Sequence, residues 1–146
     1  MTPSSGLSVM RALEAVSTRA RGLPPAMVRG ALLVYWIVLL VLIHMPIPRT
    51  TEPNNGSDKI VHFVLYGWLA FLLTASLDRL AAGGWKLRVG LVLALVSAQG
   101  LIDELTQPLT GRDCDPWDWL ADSVGALAAL GAFYACRCWL TQARRS

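Results

Sequence analysis

Four apolar runs, separated by short stretches rich in proline, glycine and asparagine, dominate this sequence. A helix needs about 20 residues to cross roughly 30 Å of hydrocarbon at 1.5 Å per residue. The stretches Met27 to Met45, Asp58 to Leu77, Leu87 to Gln107 and Pro116 to Leu140 meet that length. The first carries Arg29 near its start, where a long side chain snorkels to the interface. The other three keep their ionisable residues near one end or on one face. Pro46, Pro48, Pro53, Asn54, Asn55 and Gly56 break the chain after the first run, Gly83 and Gly84 after the second, Pro108 and Gly111 after the third. Such short connectors predict sequential helices lying antiparallel beside each other.

Composition narrows the class. Of 146 residues, 54% are apolar and 16% charged, which is too apolar for a disordered chain and too poor in charge for a coiled coil or an ordinary soluble enzyme. The net charge of +3 is not gathered on one polar element, which excludes a nucleic-acid binder. The expected fold is an all-α membrane protein, a four-transmembrane-helix bundle over residues 27–140, flanked by tails 1–26 and 141–146. In the first tail Leu7, Met10, Leu13 and Val16 recur at helical spacing among arginines. They fit either an amphipathic surface helix or a frayed tail ending at Pro24–Pro25. The charged lead-in is long and no small-residue cleavage site follows His44, so a cleaved signal peptide is not expected. Cys114, Cys136 and Cys138 have neither disulfide nor zinc spacing and read as packing or incidental residues.

The cations set an orientation. With four spans, the N-terminal tail, the middle connector and the C-terminus share one side. That side holds ten of the 13 Lys and Arg residues, leaving Arg49, Lys59 and Arg112 opposite. The bias predicts both termini in the cytoplasm. The acids run the other way: all but Glu14 and Asp78 fall on the outer side or in the outer ends of helices. Acidic residues contribute little to topology, so this sorting asks for a solvated surface or a site.

Helical geometry says which of these polar groups can meet. Asp58, His62 and Tyr66 follow at four-residue steps on the second span, with Lys59 one position round. On the third, Ser97, Gly100, Glu104 and Gln107 share a face; on the fourth, Asp118, Asp122, Gly125, Ala129 and Ala132 do. Small residues at that spacing admit a close helix neighbour, so the acids of the fourth span should point into the bundle, with Lys59, His62 and Arg112 as partners. Plainer roles compete at several positions. Asp115 before Pro116 reads as a helix cap, and Asp118 suits the positive end of the same helix. Ser57 or Asp58 can cap the second span. Asp103 reads as facing the interface, Asp113 as a solvated loop charge, Trp117 and Trp119 as interfacial aromatics, and His44 as a spectator. Asp58, Lys59, His62, Tyr66, Glu104, Gln107, Arg112, Asp118 and Asp122 remain as the candidate ligand-binding or site-organising set.

Three chemistries suit such a set. Two outward helix N-termini with Lys59, His62 and Arg112 nearby make a seat for a lipid phosphate. The acids can instead balance these cations in a structural network, or hold a hard divalent cation. No motif specifies a metal, a phosphate loop or a nucleophile, so neither metal nor cofactor is expected.

Three segments in order carry a resemblance. Asp58-Lys59-x-x-His62, then Glu104-x-x-Gln107, then Gly111-Arg112 followed by Asp118-x-x-x-Asp122 and Gly125, resemble the VanZ-like family, whose pattern is D-K-x-x-H, E-x-x-Q, then G-R leading to D-x-x-x-N/D and a glycine. The similarity covers about Asp58 to Gly131. The chain has Asp115 where the family often has serine, and Asp122 where others have asparagine. The resemblance implies a small multi-span membrane protein of the cell envelope, in a family named after a member linked to resistance to the glycopeptide teicoplanin. Together with the outer cluster it yields the leading expectation: non-catalytic binding of a lipid or envelope-precursor headgroup, with membrane lipid as partner. The alternatives are an enzyme acting on a lipid phosphate or glycan-lipid, with His62 or Glu104 as general acid/base, and a purely structural cluster.

Overall fold

The computed structural model describes residues 24–45, 56–78, 84–111 and 114–143, and these form four long helices with no strand among them. They are α1 (Pro25–His44), α2 (Ser57–Asp78), α3 (Trp85–Thr106) and α4 (Pro116–Ala143). Each is long and apolar enough to cross a membrane. The surface agrees with that reading. Leu33, Val34, Ile37, Val41, Ile60, Val61, Val64, Leu95, Ile102 and Leu127 are all exposed, a density of outward apolar side chains that water does not tolerate over a whole bundle.

Local chemistry sets the helix ends. α1 begins at Pro25, two residues earlier than the apolar run predicts, because a proline in the first helical turn has no N–H to leave unsatisfied. It stops at His44. Met45 is extended, at φ −67° and ψ 124°, as the residue before Pro46 must be. α3 gives way to a 3₁₀ turn over Gln107–Thr110. Pro108 lacks the N–H that would continue the α-helical ladder to Glu104. Gly111 closes the turn at φ 79°, in the left-handed region that glycine enters without penalty. α4 starts at Pro116, with the Asp115 carboxylate accepting the Trp117 N–H at 3.0 Å, and runs three residues past the predicted Leu140.

Side-chain bonds at both ends fix the direction of each helix. His44 near the end of α1 meets Thr106 at the end of α3. Lys59 at the start of α2 meets Asp115 and Asp118 at the start of α4. At the opposite end of the bundle, Asp78 accepts from Arg88 at 2.6 Å and from Arg137. The arrangement is therefore up-down-up-down, and Pro25 and Ala143 lie at the same end.

Sequential helices do pack on each other, but the most extensive contact joins α2 to α4, which run parallel. Connector length says nothing about this pair; two glycines make it. A Cβ on Gly67 would sit 3.1 Å from the Gly125 carbonyl oxygen, and a Cβ on Gly125 would overlap the Phe63 carbonyl oxygen. Leu39, Ile43, Tyr66, Leu69, Val92, Val96, Ala126 and Leu130 fill the core. Of the stripe predicted on α4, Asp118, Asp122 and Gly125 are buried, Ala129 is half-buried and Ala132 is exposed. The tail positions Leu7, Met10, Leu13 and Val16 lie outside the described residues, as does Arg112.

Candidate functional site

At the end of the bundle where α2 and α4 begin and α3 finishes, polar side chains replace the apolar core. They reach from Lys59 inward to Tyr66, about 10 Å along the helix axis at 1.5 Å per residue. The outermost layer joins three helices and a loop. Lys59 Nζ donates to Asp115 Oδ2 at 2.7 Å and to Asp118 Oδ1 at 3.4 Å. The Asp115 backbone N–H donates to Glu104 Oε2 at 2.8 Å, tying the end of α3 to the entry of α4. The Lys59 ammonium, and then the Trp117 N–H, hold the Asp115 carboxyl below the usual carboxylate range.

One turn deeper, His62 Nδ1 lies 3.0 Å from Asp122 Oδ1 between α2 and α4. Beneath it the Tyr66 hydroxyl donates to Asp103 Oδ2. Gln99 Nε2 donates to the other Asp103 oxygen at 2.8 Å, and Trp36 Nε1 donates to Gln99 Oε1 at 3.2 Å. This chain links α1, α3 and α2. The His62 and Tyr66 rings lie parallel, 6.0 Å between centroids. Gly100 leaves room for Asp122: a Cβ there would sit 2.6 Å from Asp122 Oδ2.

Burial makes the cluster costly. His62, Tyr66, Asp103, Glu104, Gln107, Asp118 and Asp122 each have no more than 2% of their surface exposed. Charged groups in such a place need partners. Among the described residues of the cluster, six carboxyl side chains (Asp58, Asp103, Glu104, Asp115, Asp118 and Asp122) face Lys59, His62 and His44 as the cationic or ionisable nitrogen groups. Glu104 Oε1, Gln107 Nε2 and Asp122 Oδ2 are buried without a hydrogen-bond partner among the described residues. A buried polar atom left so loses several kcal/mol of solvation, so the cluster has capacity for a further polar partner.

The structure brings Asp58, Lys59, His62, Tyr66, Glu104, Gln107, Asp118 and Asp122 to this one end; the remaining candidate, Arg112, is outside the described residues. Sequence reasoning set aside several residues that belong to the network. Asp103 is buried rather than interfacial, because α3 is covered on more than one side and adjacent positions both turn inward. The Gln99–Asp103 pair at i, i+4 was the available signal. His44 accepts a place in it too, with Nε2 at 2.8 Å from Thr106 Oγ1 and Nδ1 at 2.9 Å from the Leu40 carbonyl. Trp119 points inward to donate to the Ser97 carbonyl at 3.1 Å. Asp115 caps α4 and also pairs with Lys59.

Beside the cluster, on the outer surface of the bundle, an apolar groove of about 350 Å³ runs between α2 and α4. Ile60, Phe63, Trp117, Leu120, Ala121 and Val124 line it, and Lys59 stands at its head. Comparison with family models, with curated proteins and with solved structures returns no match.

Proposed function

We propose that this chain is a multi-pass membrane protein that binds the polar headgroup of a membrane amphiphile without transforming it. One observation carries the reading: the apolar groove ends on Lys59, which is shared between Asp115 and Asp118. An acyl chain lying along Phe63, Leu120 and Val124 would place its headgroup against a cation and two carboxylates. The seat is built to hydrogen-bond through the Lys59 ammonium and the carboxylates it pairs with. The distribution of Lys and Arg supports an orientation with this end on the side away from the cytoplasm.

Binding is favoured over catalysis because the sequence carries no nucleophile elbow, phosphate loop or zinc-protease motif. His62 is engaged by Asp122 through Nδ1. The resemblance to the VanZ-like family extends the reading to envelope-precursor headgroups and to glycopeptide response. Expression in a teicoplanin-sensitive host is expected to lower susceptibility, and unchanged susceptibility with the protein present in the membrane would remove that extension.

The binding itself is tested by native mass spectrometry of the detergent-solubilised protein, titrated with phosphatidylethanolamine or phosphatidylglycerol. Leu120→Trp fills the groove and is expected to reduce the bound-lipid fraction by about tenfold, the effect of about 1.4 kcal/mol. Equal retention of both lipids by the wild type and the variant would overturn the reading.

A further inference from the structure

The same end of the bundle has the makings of a metal site. Asp58 and His62 on α2 and Asp118 on α4 each present one ligand atom, and these atoms lie within 4.8 Å of one another. Asp118 and His62 are 98% buried. Two carboxylate oxygens and an imidazole nitrogen suit Zn²⁺ or Mn²⁺. Two further observations describe the excess of carboxylate around this set. Glu104 Oε1 and Asp122 Oδ2 are buried and unpartnered among the described residues. Glu104 lies close enough to His62, Asp118 and Asp122 to interact electrostatically with all three. The Lys59 ammonium is the one lysine charge set against these carboxylates among the described residues, and it is divided between Asp115 at 2.7 Å and Asp118 at 3.4 Å.

The surroundings also fit metal chemistry. His62 uses Nδ1 on Asp122 Oδ1 at 3.0 Å, which leaves Nε2 for a metal. A carboxylate on the second ring nitrogen is the usual support of a metal-bound histidine, fixing its tautomer and orientation. Asp122 is thus a positioning residue, and Gly100 makes room for it. Three protein ligands leave coordination positions open.

We propose that Asp58, His62 and Asp118 bind a single divalent transition-metal cation, with Asp122 orienting His62. This deepens the headgroup reading and rests on it for one consequence: a cation here converts an acid-rich pocket into one that accepts a phosphate oxygen. Metal binding itself does not depend on that reading.

The test uses the full chain in nanodiscs, stripped with chelator and titrated with Zn²⁺ or Mn²⁺ alone, by calorimetry and by thermal melting. Wild type is expected to take up one equivalent of at least one of the two metals and to melt at a higher temperature with it. Asp58→Asn and Asp118→Asn should each lower the affinity at least tenfold, and Asp122→Asn by about 10–100-fold. Asp58 lies near the rim and is only partly buried, so its variant keeps the test interpretable if the buried ones misfold. No stoichiometric uptake of either metal, or uptake unchanged in Asp58→Asn, would overturn the proposal. Lipid retention measured on the stripped protein reports separately on the headgroup reading.

Discussion

At the scale of single residues, the cluster is a set of buried charges held by specific partners. Asp115 gives a pH-dependent prediction. Lys59 holds its carboxyl below the ordinary value, so the folded state takes up its proton at lower pH than the unfolded chain does. Its stabilising contribution is therefore full above the unfolded value of about 3.9 and is lost as pH falls through the folded value. Asp115→Asn should accordingly lower the melting temperature at neutral pH, and the difference from wild type should shrink below about pH 4. A difference that stayed constant across that range would contradict the assignment. Glu104→Gln makes a second test. The amide oxygen can still accept the Asp115 N–H, so the fold should survive, with a stability change of about 1 kcal/mol or less. Cation uptake should weaken because a carboxylate has gone. Loss of folding instead would assign Glu104 a structural role. Much of this layer was legible in the sequence: the four-residue steps of Asp58, His62 and Tyr66, and of Asp118 and Asp122, put the right residues on inward faces. Asp103 was not, because helical periodicity describes one face and cannot say how much of the helix circumference neighbours will cover.

At the scale of helices, the parallel α2–α4 pair sets the geometry of the site, since it holds Lys59 against Asp118 and His62 against Asp122. Glycine is needed where the backbones meet. Gly125→Ala would drive a methyl group into the Phe63 carbonyl, and is expected to destabilise the protein by about 1–3 kcal/mol, as overpacking does. Gly67→Ala faces a milder 3.1 Å approach and should cost less. Thermal melts of the two variants check the order, and the reverse ranking would contradict the packing described. The spans were readable to within three residues at each end, because apolar length and proline or glycine punctuation are local signals. The dominance of α2–α4 was not, since connector length concerns sequential neighbours only. The stripe of small residues on α4 gave the hint of a close partner without naming it.

At the scale of the whole molecule, the bundle is polarised. One end gathers carboxylates around Lys59 and His62, and the other carries Asp78 between Arg88 and Arg137. Apolar length and charge bias made the membrane class and the four spans legible, but no residue pattern specifies the ligand, because headgroup and metal seats share the same donors. The proposed orientation predicts that tags at both termini are cut by protease in inside-out vesicles and protected in right-side-out ones. The central claim is that the polar end is a binding site rather than a brace for the helices, and Lys59→Gln tests it most directly. Lys59 heads the groove, its side chain is 35% exposed, and the deeper His62–Asp122 and Tyr66–Asp103 pairs do not involve it. Melting temperature and lipid retention are measured on the same purified protein. The expected result is a melting temperature lowered about as far as in Asp115→Asn, with the variant still folded at the assay temperature and phospholipid retention reduced about tenfold; a variant that retains lipid like wild type, or that loses lipid only as it unfolds, would contradict it.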